Sequence, residues 1–595
     1  MLRPENVADG RAMQFTDVLR NASTKKAPVP SGLSPAPLLS GGFPVVGHTV
    51  EFVRGTIELL TRASRELGEV AAFDLVGRRM VAMFGPDAHE AVFRAPDSQL
   101  SPMEAYKIMT PVFGKDIVYD ASPEKMAEQL KMLLPALQDR RMRTYGEAVV
   151  FETEETTRAW GQTGVVDFVE LCRALTSFTS SRCLLGKEFR EGMSEEFARV
   201  YHDLEGGVTP LAYLNAHLPI PSFKKRDRAR VRMVEMISEI VRDRKKTGRL
   251  GEDFLQTLMD STYADGRSLT DDEITGLLLA AIFAGHHTSS VTTAWTLLEL
   301  LQNPTTLNRA VEEVDRVFGS GRPVSHGALR ELTYLECCVK EALRMHPPLF
   351  MLVRVAMQDF VYKSWFIPKG TWIVVSPTVS HRLPGVFTDP DAFDPHRFLP
   401  PRLEDKKDFA YIAFGGGRHK CLGNAFAILQ IKAILALFLG QFEFGLCGDA
   451  IKADFRGLVI GPKEPCRVRY RRRASPSVTM AMGTELSTLA NGEAKTNGET
   501  REDITARAIA GGCPAHVHAP KADAPKATEG TSLRIRIDRD LCQGHAVCVG
   551  EAPEVFALGR DNKVILKLAR PAADLHAKVR AAAEHCPTRS IRIEE

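Results

Sequence analysis

Between about Pro30 and Arg473, apolar and charged positions recur at helical spacing over long stretches. Asp271 to Gly285 and Val291 to Leu301 keep that spacing on both sides of a polar centre, which predicts one long helix running through both. LTYLECCVKEALRMH predicts another, stopped at Pro347 and Pro348, because proline has no amide hydrogen to give a helix. DFVYKSW and TWIVVSP, on either side of the turn Pro368-Lys369-Gly370, alternate as short strands do. The apolar run NAFAILQIKAILALFL from Asn424 predicts a further helix starting just behind Cys421. The expected large unit is therefore mainly α with minor β-sheets.

The pattern fades at Ala474. Ala474 to Gly530 is rich in Ala, Gly, Thr, Ser, Lys and Glu and poor in aromatics, a composition that cannot bury a core and reads as a flexible linker. Periodicity returns at Ser532, where LRIRID and SIRIEE alternate like strands around the helical AADLHAKVRAAAEH. Such a small α+β unit has a marginal core and normally needs a metal or disulfide. The expected divisions are an N-terminal extension over 1–33, a large domain over 34–473, a linker over 474–530 and a small domain over 531–595.

A length of 595 residues fits this division, since it exceeds what one core usually organises. A formal charge of +3 carries no nucleic-acid signal. The eleven cysteines are odd in number and thinly spread, and no signal peptide is evident, which points to a reducing, cytoplasmic setting rather than a disulfide framework. The longest apolar run, ITGLLLAAIFAG, stops at His286 and His287, so no transmembrane segment is expected.

The chemistry concentrates on FGGGRHKCLG, Phe414 to Gly423. Three glycines allow backbone shapes closed to other residues and a close approach by a large partner. A helix starting beyond Cys421 would turn free amides and its dipole toward a thiolate. Alone, such a cysteine is more often an inert buried thiol. Three other segments alter that balance. KEALR sets Glu341 and Arg344 three apart on one helix face, and FDPHRF offers Arg397 to complete an acid–base cluster that would pin the region supporting the cysteine turn. FAGHHTSS puts a polar break into an apolar helix, suited either to an internal cavity or to hydroxyls bonding back to the helix carbonyls.

Together these residues resemble the cytochrome P450 family. Phe414, Gly417, His419, Cys421 and Gly423 match its haem-binding signature, Glu341 and Arg344 its Glu-x-x-Arg motif, Arg397 the arginine that follows, and Ala284, Gly285 and Thr288 its oxygen-handling helix. His287 before Thr288, His419 where most members have Arg, and AYKIMTPVFGKDIVYD with Tyr106, Phe113, Gly114, Val118 and Asp120 are similar to the sterol 14α-demethylases in particular. SPTVSHR is also similar to that group, and LVRVA implies Arg354 as a second haem-propionate contact beside His419. Ile108 departs from the Phe or Leu usual among relatives, which leaves the preference at sterol C4 open.

The resemblance implies a haem b held by the Cys421 thiolate, whose electron donation favours O–O cleavage. It implies Thr288 holding dioxygen and organising water, with His287 either joining that proton relay or serving structure, and His286 structural. It implies a sterol pocket lined by Tyr106, Ile108, Phe113, Leu349, Met351 and Leu352. The implied reaction is three successive O2-dependent oxidations of the 14α-methyl group, releasing formate and leaving a 14,15 double bond. A P450 hydroxylase of another polycyclic or terpenoid substrate remains the alternative.

The tail carries LCQGHAVC and HCPT, with Cys542, Cys548 and Cys586, and His545 where a four-iron ferredoxin usually has cysteine. This resembles bacterial ferredoxins with a [3Fe-4S] cluster, three thiolates holding three irons. Zinc on Cys542, His545, Cys548 and Cys586 is the rival, but zinc carries no electron. Cys513, His516 and His518 in the linker are a weak further candidate for metal. No Gly-x-Gly-x-x-Gly fingerprint follows a strand, so a separate NAD(P)H-dependent ferredoxin reductase is the implied partner.

Overall fold

The computed structural model describes residues 28–478 and 533–594, apart from 138, 187–189, 191–194, 209–211, 213–214, 249–252, 449–450, 456–457, 540–541, 543–546, 560–562, 585 and 587–589. Residues 1–27 of the extension, most of the linker with Cys513, His516 and His518, and His545 of the tail lie outside the described residues.

The helices that place the site are, in chain order, α1 (Pro86–Arg94), α2 (Phe168–Leu185), α3 (Glu195–Glu205), α4 (Asp271–Gln302), α5 (His326–Arg330), α6 (Thr333–Met345), α7 (Asn424–Gln441), α8 (Val547–Glu551) and α9 (His576–Glu584). The strands are β1 (Val70–Leu75), β2 (Arg78–Met83), β3 (Leu100–Ser101), β4 (Leu352–Ala356), β5 (Trp372–Val375), β6 (Arg534–Ile537) and β7 (Ile591–Glu594).

The predicted long helix is α4, and it runs unbroken through the polar centre. It starts where a capping box fixes it: Thr270 Oγ1 accepts from the Glu273 amide at 3.2 Å while the Glu273 carboxylate accepts from the Thr270 amide at 2.9 Å. The polar centre does not interrupt it, as expected, because Thr288, Thr292, Thr293 and Thr296 each donate a hydroxyl to the carbonyl four residues back. That leaves the helix's own hydrogen bonds in place. Helix α4 packs against α2, α6 and α7, and Leu277, Leu297 and Leu298 are fully buried in the main core. Helix α7 is apolar on every side and buried from Leu429 to Gln441, the composition of a core helix. By length and composition α4 and α7 would suffice to cross a membrane, but most of each is buried inside the domain.

A five-stranded sheet in the order β1-β2-β5-β4-β3 covers one side. Strand β2 runs parallel to β5, and the other neighbours are antiparallel. Packing of the large domain continues past Arg473, which pairs with Asp315 at 2.7 Å, to Val478, 3% exposed and set against Gly440.

In the tail, β6 and β7 pair antiparallel from Arg534 opposite Glu594 to Ile537 opposite Ile591. With α8, α9 and a hairpin of Phe556–Leu558 with Val564–Leu566, they enclose a small core of their own.

Candidate functional site

The glycine turn is held to one shape. Gly415 and Gly417 take φ of +70° and +62°, a region that favours glycine, and a Cβ on Gly417 would collide with the Phe93 carbonyl. The Cys421 amide donates to Phe414 O at 2.9 Å and closes the loop. Beyond it α7 begins, and the amides of Gly423 and Asn424 point at the sulfur. Burial raises the Cys421 thiol above its ordinary value, opposed by the Gly423 amide, Lys420 and the Asn424 amide. Cys421 is nonetheless an exposed residue, accessible to a ligand at the turn.

A fully buried ion cluster stands behind this turn. Arg344 meets Glu341 through two bonds of 2.8 and 2.9 Å, and Arg397 Nε donates to Glu341 Oε1 at 2.9 Å and its Nη1 to Glu404 at 2.9 Å. All three predicted members are 0% exposed. Their remaining donors reach the carbonyls of His381, Pro390 and Ala392 from Arg344, and of Thr388, Asp389 and Ala392 from Arg397. Desolvated charges need this full set of partners.

The cluster connects to the turn through residues that the sequence did not single out. Ile412 donates its amide to His381 Nε2 at 3.0 Å, so Nδ1 carries the proton and donates to Arg344 O at 3.1 Å. His89 Nδ1 donates to Phe409 O at 3.0 Å, and its Nε2 accepts from the Ser380 hydroxyl at 2.9 Å. Burial, with Arg344 adding to it, pushes His381 down to about 3, and burial pushes His89 down to about 4. Two neutral imidazoles therefore clamp the strap that leads into Phe414.

Midway along α4, Ala284 is exposed, and Thr288 Oγ1 lies one turn on, 2.7 Å from Ala284 O. A Cβ on Gly285 would lie 3.8 Å from the Phe426 ring, so this part of α4 rests on the first turns of α7. His287 Nε2 lies 2.6 Å from Glu205 Oε1 of α3, and His286 bonds Arg173 O at 2.9 Å. Burial alone would raise Glu205, but the hydrogen bonds of His286 and His287 outweigh it and bring the carboxyl to about 2.

Arg354 is 7% exposed, donates to Val353 O at 2.9 Å and has no carboxylate within 4 Å among the described residues. The Tyr119 phenol is pushed up to about 12 by burial first and by Tyr106 and Cys421 besides, with the Arg354 charge opposing them. The Tyr106 and Tyr119 rings lie 5.0 Å apart, tilted by 34°. His419 Nε2 is engaged by Asp97 at 2.6 Å.

The predicted pocket residues divide. Phe113 meets Phe283 of α4 edge-on at 6.0 Å, and Ile108 packs on the same core. Tyr106 and Met351 share a small cluster with Val353 and Val355, Leu352 packs on the sheet, and Leu349 is 41% exposed, apart from all of them.

In the tail, Cys542, Cys548 and Cys586 come from three separate segments into one core, 7%, 6% and 9% exposed, all as free thiols. Burial, reinforced by Cys586 and Cys542, pushes Cys548 up to about 12. The Val564 amide donates to Cys542 Sγ at 3.3 Å, and Cys586 Sγ lies 3.3 Å from Ser590 Oγ.

A family model described as cytochrome P450 matches residues 37–466, and one described as a 4Fe-4S single cluster domain matches residues 535–593. The chain is 41% identical over 440 residues to an obtusifoliol 14-alpha demethylase of Sorghum bicolor, covering 73% of this chain and 89% of that protein. It is 40% identical over 444 residues to a sterol 14alpha-demethylase of Mycobacterium tuberculosis, covering 73% and 98%. A lanosterol 14-alpha demethylase of Bos taurus is 36% identical over 451 residues, covering 75% and 90%. Among solved structures, the heme domain of cytochrome P450DA superposes with a TM-score of 0.67 at 24% identity, covering 74% of this chain and 98% of its own. A retinoic-acid-bound cyanobacterial CYP120A1 gives 0.66 at 23%, covering 74% and 100%.

Proposed function

The chain belongs to the cytochrome P450 family, among the sterol 14α-demethylases, and from that premise we propose that it removes the 14α-methyl group of lanosterol-type sterols using electrons relayed by its own iron–sulfur tail. The observation that carries this reading is the Cys421 thiol, set by the glycine turn on an exposed residue ahead of α7 and faced by the amides of Gly423 and Asn424. The residues around it fit a haem b: Cys421 as iron ligand, and Arg354, a buried cation without a carboxylate partner among the described residues, as the counter-charge for a propionate. His419 stands ready as a second propionate contact, with Asp97 orienting its ring. When bound, a thiolate-ligated haem activates dioxygen for attack on an unactivated C–H bond.

The chain's own part is positioning, desolvation and proton supply. The Gly423 and Asn424 amides moderate the charge on the sulfur. Phe113 and Phe283 form an apolar wall beside Ala284, and with Tyr106, Ile108, Met351 and Leu352 they bind a flat apolar sterol, gaining roughly 25 cal/mol per Å² of apolar area removed from water. The exposed step at Ala284 leaves room for small reactants above the turn. Thr288 Oγ1 gives its own proton to Ala284 O, which frees its lone pairs to accept from water. His287 and Glu205, 2.6 Å apart, hold a proton between them at the edge of this space, and Glu205 stays ionised across physiological pH. The reaction takes three rounds of oxidation, each consuming one dioxygen and two electrons, and ends in formate and a 14,15 alkene.

The tail is a single-cluster iron–sulfur domain by its family match. We assign it the [3Fe-4S] form, because three buried cysteines share one small core and His545 stands in the sequence where a fourth would be. A separate NAD(P)H-dependent ferredoxin reductase would load it. The test is turnover of 14α-methyl sterols by anaerobically purified full-length protein with a supplied reductase and NAD(P)H, scoring formate and demethylated sterol. Product without added ferredoxin is expected. Hydroxylation of another lipid with no demethylated sterol would overturn the substrate assignment.

A further inference from the structure

Among the described residues, three ion pairs join the tail to the large domain: Arg94 with Asp538 at 3.9 Å, Asp408 with Arg592 at 3.6 Å, and Arg330 with Glu551. On the large domain these residues flank the cysteine turn. Arg94 ends α1 directly after Phe93, whose ring would meet a Cβ on Gly416 at 2.7 Å, and the Arg94 guanidinium lies 5.4 Å from the centre of the Phe409 ring. Asp408 adjoins Phe409, which stacks on Phe93 at 6.2 Å. Arg330 ends α5, which packs on α7, the helix that starts behind Cys421.

On the tail the three partners sit beside the cluster cysteines. The Asp538 amide donates to Ser590 O at 2.8 Å, and Ser590 Oγ contacts Cys586 Sγ at 3.3 Å. Arg592 follows on β7, and Glu551 ends α8, the short helix that contains Cys548. The end of the tail that holds the thiols is thus the end that meets the large domain.

We infer that the tail docks onto the large domain behind Cys421 through a mixed-sign charge code, Arg94, Arg330 and Asp408 read by Asp538, Glu551 and Arg592, which fixes one orientation for electron transfer. This rests on the relay reading above and adds the surface and its specificity. The large domain contributes two cations and one anion and the tail the reverse. A tail turned about the contact would set like charges against each other, so the code selects orientation as well as partner. Each pair keeps at least one partner exposed to solvent, which makes it individually weak. Weak pairs suffice when the partner is tethered, since a flexible linker holds it at about millimolar local concentration. They also let the tail leave to be recharged by its reductase.

The test uses full-length protein, reduced through a supplied reductase under carbon monoxide, with the appearance of the haem–CO spectrum followed in time. For a tethered donor this rate is independent of protein concentration. Glu551→Arg or Arg330→Glu alone is expected to slow it roughly two- to five-fold at low salt, and the double variant Arg330→Glu with Glu551→Arg to recover it. Asp538→Arg and Arg94→Asp should behave in the same way. Raising ionic strength should erase the differences, because exposed pairs are screened within about 10 Å at 0.1 M salt. Cluster absorbance and the haem–CO spectrum of each variant verify that both sites are intact. Single reversals at the wild-type rate, or a double variant that recovers nothing, would overturn the docking and leave the relay standing. A reduced wild-type tail that never reduces the haem would overturn the relay, and the docking with it.

Discussion

Acidification should loosen the cysteine turn through two histidines that touch neither haem nor substrate. His381 and His89 are 0% and 1% exposed and neutral when folded, with values of about 3 and about 4 against an ordinary 6.5. Because the folded values are lowered, the unfolded chain takes up protons first as pH drops below 6.5. Stability is then lost from that point down to about 4 for His89 and about 3 for His381. Between pH 7 and pH 5 each histidine costs about 2 kcal/mol, and the two together about 4 kcal/mol. The assay is urea unfolding at both pH values followed by tryptophan fluorescence, which reports the large domain alone because Trp160, Trp295, Trp365 and Trp372 all lie in it. His381→Gln and His89→Gln will each lower stability at pH 7, but the informative quantity is the difference between pH 7 and pH 5. Each variant should lose about 2 kcal/mol less than wild type over that interval. A variant with the same pH difference as wild type would refute the claim that these imidazoles are held neutral.

Other outcomes follow from single contacts. Glu341→Gln leaves the buried Arg344 without its carboxylate and Arg397 with Glu404 alone, and should cost about 3–5 kcal/mol with loss of haem retention; urea midpoints and haem content check this. Arg354→Met should act with opposite signs, raising apoprotein stability by about 1 kcal/mol or more by removing an unpaired buried cation, while speeding haem loss; an apoprotein weakened by the change would contradict the propionate role. Cys548→Ala should abolish the cluster's absorption and electron paramagnetic signal and leave the haem–CO spectrum unchanged. Cys421→Ser should do the converse, removing the absorption change of thiolate-ligated haem on CO binding while the cluster signal persists.

What could be read in the sequence was chemistry confined to short windows. The three glycines, Cys421 and the helix after it are contiguous, and Glu341 with Arg344 lies on one turn of α6, so spacing alone brought them together. The partners that tune those groups are far away along the chain. Glu205 meets His287 from 82 residues away and Asp97 meets His419 from 322, and an isolated acid or histidine in a helical pattern carries no mark of such a partner. His381 lay inside a segment already tied to the family, yet its role as a neutral link from Arg344 to Ile412 depends on a tautomer that only the fold selects. The polar centre of α4 posed a different problem. Composition signalled a polar centre within one helix, but whether its hydroxyls face a cavity or fold back on the helix depends on rotamers, and here they fold back.

The pocket was the least legible part, for a reason built into strand geometry. Neighbours such as Leu352 and Val353 on β4 point to opposite faces of the sheet, so a run of apolar residues near a site divides between lining and core. Phe113 could be placed because an aromatic partner, Phe283, sits beside the exposed step at Ala284; Leu349 has no such partner, and its 41% exposure sets it at the margin. An apolar pocket is defined by which faces are left uncovered, and that is a property of packing between segments rather than of any one of them. The charge code between tail and large domain has the same character. Asp538, Glu551 and Arg592 are ordinary surface residues until the fold sets them beside Cys542, Cys548 and Cys586.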